Sequence, residues 1–308
     1  MHSPDETGGL LTRRDLLRTA ATAGAALLLG ARTALSRSGP SEARLGAWAG
    51  TLRSEGLCRA GVPLGRGAGR VGELAAGTPY AASTLDAYLA GGRDMPRVEP
   101  LGLSLTHFDC VTLVESCLAV ARVAGGAGTP TWRGFGREIE RMRYRNGERR
   151  GYLSRLHYFS EWIADGERRG LVRDLGGELG AASDTRPLRF MSTHRRSYPA
   201  LAADAMYDGV IQMERRLDGQ ARRVVPTKRI PEVVDRLETG DVLAFATAIP
   251  GLDVTHTALA WRDPRGTLRV LHAPLSGGVV ETTRTTLPEY VAAIRQATGI
   301  LVARPLRA

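Results

Sequence analysis

The feature that most restricts the fold of this chain is a run of five short apolar segments, 241–247, 254–261, 267–273, 278–283 and 299–304, each bounded by Gly, Pro or Asp. Their length and turn-rich borders read as strands. One helix, predicted over 288–296, interrupts them, with Pro288 suited to a first turn. Upstream the pattern is helical. Leu113, Val114, Cys117, Leu118 and Ala121 recur at three- and four-residue spacing and predict a helix over 108–123, stopped by Gly125-Gly126. Residues 37–95 read as helical segments broken by Gly-rich connections such as 61–72, and 130–170 as a second helical region. Helices first and a mostly antiparallel sheet later means an α+β fold. At 308 residues one continuous core is expected. The division is 1–36 as a signal segment and 37–308 as one catalytic domain, with 37–98 its helical N-terminal part and 99–308 its core, carrying a helical insertion over about 127–235.

Thr106-His107-Phe108-Asp109-Cys110-Val111-Thr112 places a cysteine where irregular chain enters a helix. The positive end of the helix dipole favours a thiolate there. The same place offers backbone N–H groups unused inside the helix, which can face the oxyanion of a tetrahedral intermediate. Cys117, seven residues on, lies on the apolar face and reads as a small core residue. A cysteine at a helix start is also a common structural element, so a base is needed to give it chemical meaning.

The strands supply one. His256 lies in Val254-Thr255-His256-Thr257-Ala258-Leu259, and His272 in Leu268-Arg269-Val270-Leu271-His272. Between them Asp263-Pro264-Arg265-Gly266 is a turn. Strand side chains alternate faces, so a two- or four-residue loop would set the imidazoles on opposite faces. A three-residue loop, Pro264 to Gly266 with Gly266 left-handed, pairs Asp263 with Thr267. It sets Ala258 opposite His272 and makes His256 its diagonal neighbour on one face. His256 is then the base for Cys110, with His272 holding its tautomer and orientation. A lone strand histidine can equally be a packed, hydrogen-bonded core residue. The catalytic assignment therefore requires the sulfur of Cys110 to meet the imidazole of His256.

Thr12-Arg13-Arg14-Asp15-Leu16-Leu17-Arg18 runs into an apolar, Ala-rich stretch ending at Gly30, the pattern of a twin-arginine export signal. The stretch is shorter than the roughly 20 residues that span a bilayer. A processed signal is expected rather than an anchor, with Ala34-Leu35-Ser36 a candidate cleavage site and a periplasmic or extracellular mature protein. Three cysteines leave at least one thiol unpaired. On one helix Cys110 and Cys117 would be about 10 Å apart along the axis, too far for a disulfide, so only Cys58 could bridge either. The net charge of +10 comes almost wholly from arginine, Lys228 being the only lysine, and the arginines are interleaved with acids. That distribution reads as solvated surface, and no nucleic-acid partner is expected.

With Cys110 on a helix start and His256 and His272 on successive strands, the chain resembles the NlpC-type cell-wall peptidases, which have a papain-like fold. Gly77-Thr78-Pro79-Tyr80 looks like that superfamily's Tyr-bearing segment, and Phe108-Asp109-Cys110 like its Phe-Asp-Cys block. The nearer resemblance is to the N-acetylmuramoyl-L-alanine amidase-like branch, domain of unknown function 1460. It covers about 77–305 and includes Thr84-Leu85, Cys110-Val111-Thr112-Leu113-Val114-Glu115, Leu156-His157-Tyr158-Phe159 and Phe190-Met191-Ser192. Tyr80 stands 30 residues before Cys110, farther than is usual, and Ala258 stands where many members have Gly.

The resemblance implies a central, mostly antiparallel sheet packed on the nucleophile-bearing helix. It implies hydrolysis of the amide between N-acetylmuramic acid and L-alanine in peptidoglycan fragments through a thioester, with no metal and no cofactor. Tyr80, Asp109, His157, Tyr158 and Ser192 are its candidate oxyanion and substrate-binding residues. The aromatic run from Tyr152 to Trp162 could stack on sugars or pack between helices. Glu115 could orient the nucleophile or serve the helix dipole. Alternatives are a γ-D-glutamyl endopeptidase, a zinc amidase using His107, Cys110, His256 and His272, and a non-catalytic peptidoglycan-binding module.

Overall fold

The computed structural model describes residues 39–89, 96, 98–276 and 278–307. The paired-arginine segment and its apolar continuation, expected to be an export signal, lie outside the described residues. The helices are α1 (Gly39–Ser54), α2 (Leu64–Leu74), α3 (Cys110–Gly125), α4 (Trp132–Arg143), α5 (Phe159–Arg168), α6 (Phe190–Thr193), α7 (Asp204–Arg216), α8 (Ile230–Val233) and α9 (Leu287–Ala293). The strands are β1 (Val172–Asp174), β2 (Ala182–Asp184), β3 (Arg222–Pro226), β4 (Val242–Thr247), β5 (Val254–Arg262), β6 (Leu268–His272), β7 (Glu281–Thr282) and β8 (Ala297–Pro305). They form one sheet in the order β2-β3-β8-β4-β5-β6-β7, with β1 also on β8 and every pairing antiparallel. The fold is α+β. Among the described residues no helix is long and apolar enough to cross a membrane.

Strand alternation gives the sheet two apolar faces. On one, Val242, Ala244, Leu259, Leu271 and Leu301 pack against Leu45, Leu64, Val71, Leu113 and Leu118 of α1, α2 and α3. On the other, Leu243, Phe245, Ala258, Val270 and Val302 pack against Ile230 and Val233 of α8 and Leu287 and Val291 of α9. Each such Leu, Ile or Val contributes roughly 1.5–3 kcal/mol of burial, so both layers hold the sheet firmly. From Thr112 to Ala121 every residue of α3 is buried, which makes it the central helix of the first layer.

Two expectations need correction. The insertion is not wholly helical, because β1, β2 and β3 fall within it and join the sheet. These strands are short, and β1 and β3 carry Arg. β1 and β3 lie on β8, along the edge that β4 leaves open, so their pairing is set by a distant strand rather than by an apolar alternation of their own. The Gly-rich stretch 61–72 is largely helix α2, not a connection. A Cβ on Gly65 would lie 2.8 Å from the Thr239 carbonyl oxygen, and one on Gly72 would lie 2.6 Å from a Leu271 methyl. Glycine costs about 1 kcal/mol per helical position. Close approach of the helix to the end of the sheet offsets that cost.

Candidate active site

Cys110 is the first residue of α3, and the sequence before it fixes how the helix begins. Asp109 is the N-cap. Its Oδ1 accepts the Thr112 N–H at 2.7 Å, its own N–H donates to Thr112 Oγ1 at 2.9 Å, and its carbonyl accepts the Leu113 N–H at 3.0 Å. A first helical turn has no intrahelical acceptor for its N–H groups. The cap takes those of Thr112 and Leu113. The Val111 N–H lies against the Cys110 sulfur, and the Cys110 N–H has no partner among the described residues. Asp109 is thus placed beside the thiol as expected, with one carboxylate oxygen committed to the cap.

Tyr80 is brought to the same place by backbone pairing. Residues 80 and 108 form a parallel bridge, with Phe108 N–H donating to the Pro79 carbonyl at 3.0 Å and Ala81 N–H to the Phe108 carbonyl at 2.9 Å. The bridge thus joins positions that 27 residues separate in sequence. Burial, then the nearby Cys110 and Asp109, push the Tyr80 hydroxyl well above the usual phenol range, which keeps it a proton donor.

The second half of the site is built by strand register. Asp263 N–H donates to the Thr267 carbonyl at 2.9 Å, Gly266 is left-handed at φ 85°, and Leu259 pairs with Leu271. The three-residue loop and the register match the expectation from sequence. His256 and His272 consequently share the second face, with His256 Nε2 2.9 Å from His272 Nδ1. The His256 ring stacks on Phe245 with centroids 5.8 Å apart, and the Tyr290 hydroxyl of α9 is 3.3 Å from His272 Nδ1.

The edge of β5 brings the start of α3 to the strand that carries His256. Ala260 directs both its N–H and its carbonyl toward the β4 side, to Asp241 and Gly240. In an antiparallel ladder the direction alternates, so Thr257 and Leu259 turn toward β6. Pairing with β6 covers Leu259 to Arg262 only, which leaves the Thr257 edge without a strand partner. The start of α3 enters that gap. The Thr257 N–H faces the Cys110 sulfur, which therefore lies at the edge of β5, one residue along the strand from His256.

Electrostatics make this a neutral pair. Burial, followed by the neighbouring Asp109 carboxylate, raises the Cys110 thiol to about 11, outweighing the lowering by Thr257 and the helix start. The thiolate expected from the helix dipole alone is overruled by desolvation. Burial, then the adjacent His272, lowers His256 to about 3, and burial lowers His272 to about 4. At neutral pH the resting site therefore holds a thiol and two uncharged rings.

The other candidates are not gathered here. Tyr158 is interior, donating its hydroxyl to Glu214 at 2.7 Å and accepting the Met191 N–H at 3.2 Å. Ser192 donates its hydroxyl to the Arg189 carbonyl at 3.2 Å, and its N–H goes to the same Glu214 oxygen at 3.1 Å. His157 Nε2 is 2.9 Å from the Tyr152 carbonyl, with its ring against that tyrosine. These residues tie the insertion together, and Tyr152, Tyr158, Phe159 and Trp162 are packed rather than offered to a sugar. Tyr158, buried with its hydroxyl committed, presents no surface to a ligand, whereas His157 and Ser192 are half-buried. Glu115 is likewise interior, paired with Arg143 at 2.7 Å. His107 Nδ1 is 3.1 Å from Ser104 Oγ, and among the described residues no group of three or more His, Cys, Asp or Glu is arranged to hold a metal. Thr257 and Tyr290 escaped sequence reasoning. The first acts through its strand edge, and the second comes from a helix with no motif of its own.

A family model described as AmiA-like, N-acetylmuramoyl-L-alanine amidase-like, matches residues 70–300. Among solved structures, an N-acetylmuramoyl-L-alanine amidase from Bacteroides uniformis is 28% identical with a TM-score of 0.71, over 79% of this chain and 99% of that one. A Bacteroides fragilis protein that carries the provisional name xylanase is 32% identical with a TM-score of 0.69, over 76% and 99%. A Legionella pneumophila protein of the domain of unknown function 1460 family shares the fold at 16% identity and a TM-score of 0.61, over 87% and 95%. No curated protein matches the chain.

Proposed function

The chain belongs to the N-acetylmuramoyl-L-alanine amidase-like family, and from that premise we propose that it cleaves the N-acetylmuramoyl-L-alanine amide of peptidoglycan fragments with Cys110 as nucleophile, His256 as base and His272 as its orienting partner. The family implies a cell-wall substrate and a place of work outside the cytoplasm. The observation that carries the cysteine mechanism is the convergence at the β5 edge: a sulfur at a helix start, beside His256, whose far nitrogen is tied to His272 at 2.9 Å.

The chemistry follows from the neutral resting pair. His256 Nδ1 takes the thiol proton as the sulfur bonds to the lactyl carbonyl carbon, so the nucleophile is generated during attack. The oxyanion forms in front of the Cys110 N–H, with the Tyr80 hydroxyl as second donor. Collapse breaks the carbon–nitrogen bond, and imidazolium returns its proton to the departing alanine amine. Water, deprotonated by His256, then hydrolyses the thioester to the muramic acid carboxylate and restores the thiol.

Defined muropeptides incubated with wild type and Cys110→Ala, read by mass spectrometry, test this. Wild type should release the intact stem peptide with a free alanine terminus, and Cys110→Ala should release nothing. Cleavage within the stem would instead assign a γ-D-glutamyl endopeptidase. Turnover by Cys110→Ala, or its loss to chelators but not to iodoacetamide, would overturn the cysteine mechanism. Export by the twin-arginine route is proposed with it, and is checked by following the mature protein when both Arg13 and Arg14 are replaced by Lys.

A further inference from the structure

The base proposed above works only if His256 presents an unprotonated Nδ1, and a neutral imidazole has two tautomers. The proton between His256 Nε2 and His272 Nδ1, 2.9 Å apart, decides which one is present. If it belongs to His256, Nδ1 is bare and can accept from the thiol. If it belongs to His272, Nδ1 of His256 is already protonated and no base exists. Sequence alone places the two rings together without settling this choice.

Two neighbours of His272 settle it. The Tyr290 hydroxyl is 3.3 Å from the same Nδ1 and has no other hydrogen-bond partner among the described residues. A bare Nδ1 accepts the hydroxyl and the His256 Nε2–H in one three-centred bond, whereas a protonated Nδ1 would have to divide a single proton between His256 Nε2 and the hydroxyl oxygen. On the other side of the ring, His272 Nε2 makes no hydrogen bond and lies 3.8 Å from a Glu281 carboxylate oxygen. An N–H there points its positive end at the carboxylate, and a lone pair there would be repelled by it. Both neighbours favour His272 with its proton on Nε2.

We propose that Tyr290 is a positioning residue of this site: its hydroxyl, with the Glu281 carboxylate behind the same ring, holds His272 as the Nε2–H tautomer, obliges His256 to carry its own proton on Nε2, and so keeps Nδ1 of His256 open for the Cys110 proton. The fold supplies the residue firmly. α9 opens with a capping box between Thr286 and Glu289, and Leu287 and Val291 anchor it in the second apolar layer. That anchoring sets the Tyr290 ring 5.3 Å from Phe245 and 5.2 Å edge-on to His272, so one phenylalanine backs both Tyr290 and His256. Tyr290 touches no reacting atom and acts through His272.

This rests on the Cys110–His256 assignment, and the test separates the two. Histidine-labelled protein, read by long-range proton–nitrogen correlation, reports the tautomer of each ring without turnover. Wild type should show both His256 and His272 protonated on Nε2. Tyr290→Phe keeps the ring packing and removes the donor. It should show a mixture of His256 tautomers, with kcat down about fivefold and KM unchanged, the fold-change that corresponds to about 1 kcal/mol. Glu281→Gln, at an exposed position, should shift the mixture in the same direction and serves if Tyr290→Phe folds poorly. Finding wild-type His256 protonated on Nδ1, or both variants unchanged in tautomer and kcat, overturns the role of Tyr290. Turnover by Cys110→Ala would overturn the base assignment itself, whatever the tautomers show.

Discussion

Replacing Thr112 by Val tests whether the cap of α3 is what holds the nucleophile in place. The substitution keeps shape and β-branching, so helix propensity and packing change little. It removes the oxygen that accepts the Asp109 N–H at 2.9 Å and donates to Asp109 Oδ1 at 2.9 Å. Losing the acceptor leaves an amide beside a buried helix start without a partner, at a cost of about 1–3 kcal/mol. The half-buried carboxylate keeps the Thr112 N–H and regains water, and the added methyl returns a fraction of a kcal/mol through burial. The net expectation is about 2 kcal/mol of lost stability, or a fall of about 4–8 °C in Tm for a domain of this size. Urea unfolding with an unchanged m-value measures it. Loosening the cap also frees the Cys110 N–H and sulfur to wander, so kcat should fall about tenfold on the same muropeptide with KM nearly constant. A stability loss below about 0.5 kcal/mol, or full activity despite the expected loss, would show that the helix start is held by the surrounding core and not by its capping box.

Tyr80→Phe should lower kcat by about 100-fold while leaving Tm within about 1 °C, because the hydroxyl bonds nothing else among the described residues and one oxyanion donor is worth about 3 kcal/mol; an unchanged kcat would remove Tyr80 from the oxyanion site. The lowered pKa of His272 makes stability pH-dependent with a definite sign. Between its ordinary value of 6.5 and about 4 the unfolded chain binds the proton and the folded one does not, so this contribution is complete above pH 6.5 and is lost as pH falls through that window. His272→Asn should therefore reduce the loss of stability between pH 7 and pH 4.5 by about 2–3 kcal/mol relative to wild type. Parallel stability curves for the two proteins would show that the histidine is protonated in the fold.

What was legible in the sequence was periodic or paired. The alternation of β5 and β6 and the turn Asp263 to Gly266 were enough to set His256 and His272 on one face, because a strand admits only two faces and the loop length chooses between them. The cap of α3 was visible in part, as an acid before an apolar helix. β1, β2 and β3 were not, since strands of three to five residues, β1 and β3 on the edge of β8 and β2 on β3, carry no period. Nor were the ties of Tyr158 and Ser192 to Glu214, where an acid 56 and 22 residues away takes up the tyrosine hydroxyl and the serine backbone N–H.

The catalytic geometry lies between these cases. Cys110 opens a helix of the first layer and His256 lies on the second face, so alternation alone would separate them. In the proposed site they meet because β6 leaves the sheet after His272 while β5 continues to Val254, exposing one edge at Thr257 against which the start of α3 lies. The same departure carries the chain on to β7 and α9, which place Glu281 beside Nε2 and Tyr290 beside Nδ1 of the His272 ring. On the proposed mechanism a single strand end therefore opens the gap for the nucleophile and leads to the groups that set the protonation of its base. Extending the β5–β6 ladder by two residues would seal the Thr257 edge, and the thiol would lose its place even with all three catalytic side chains retained.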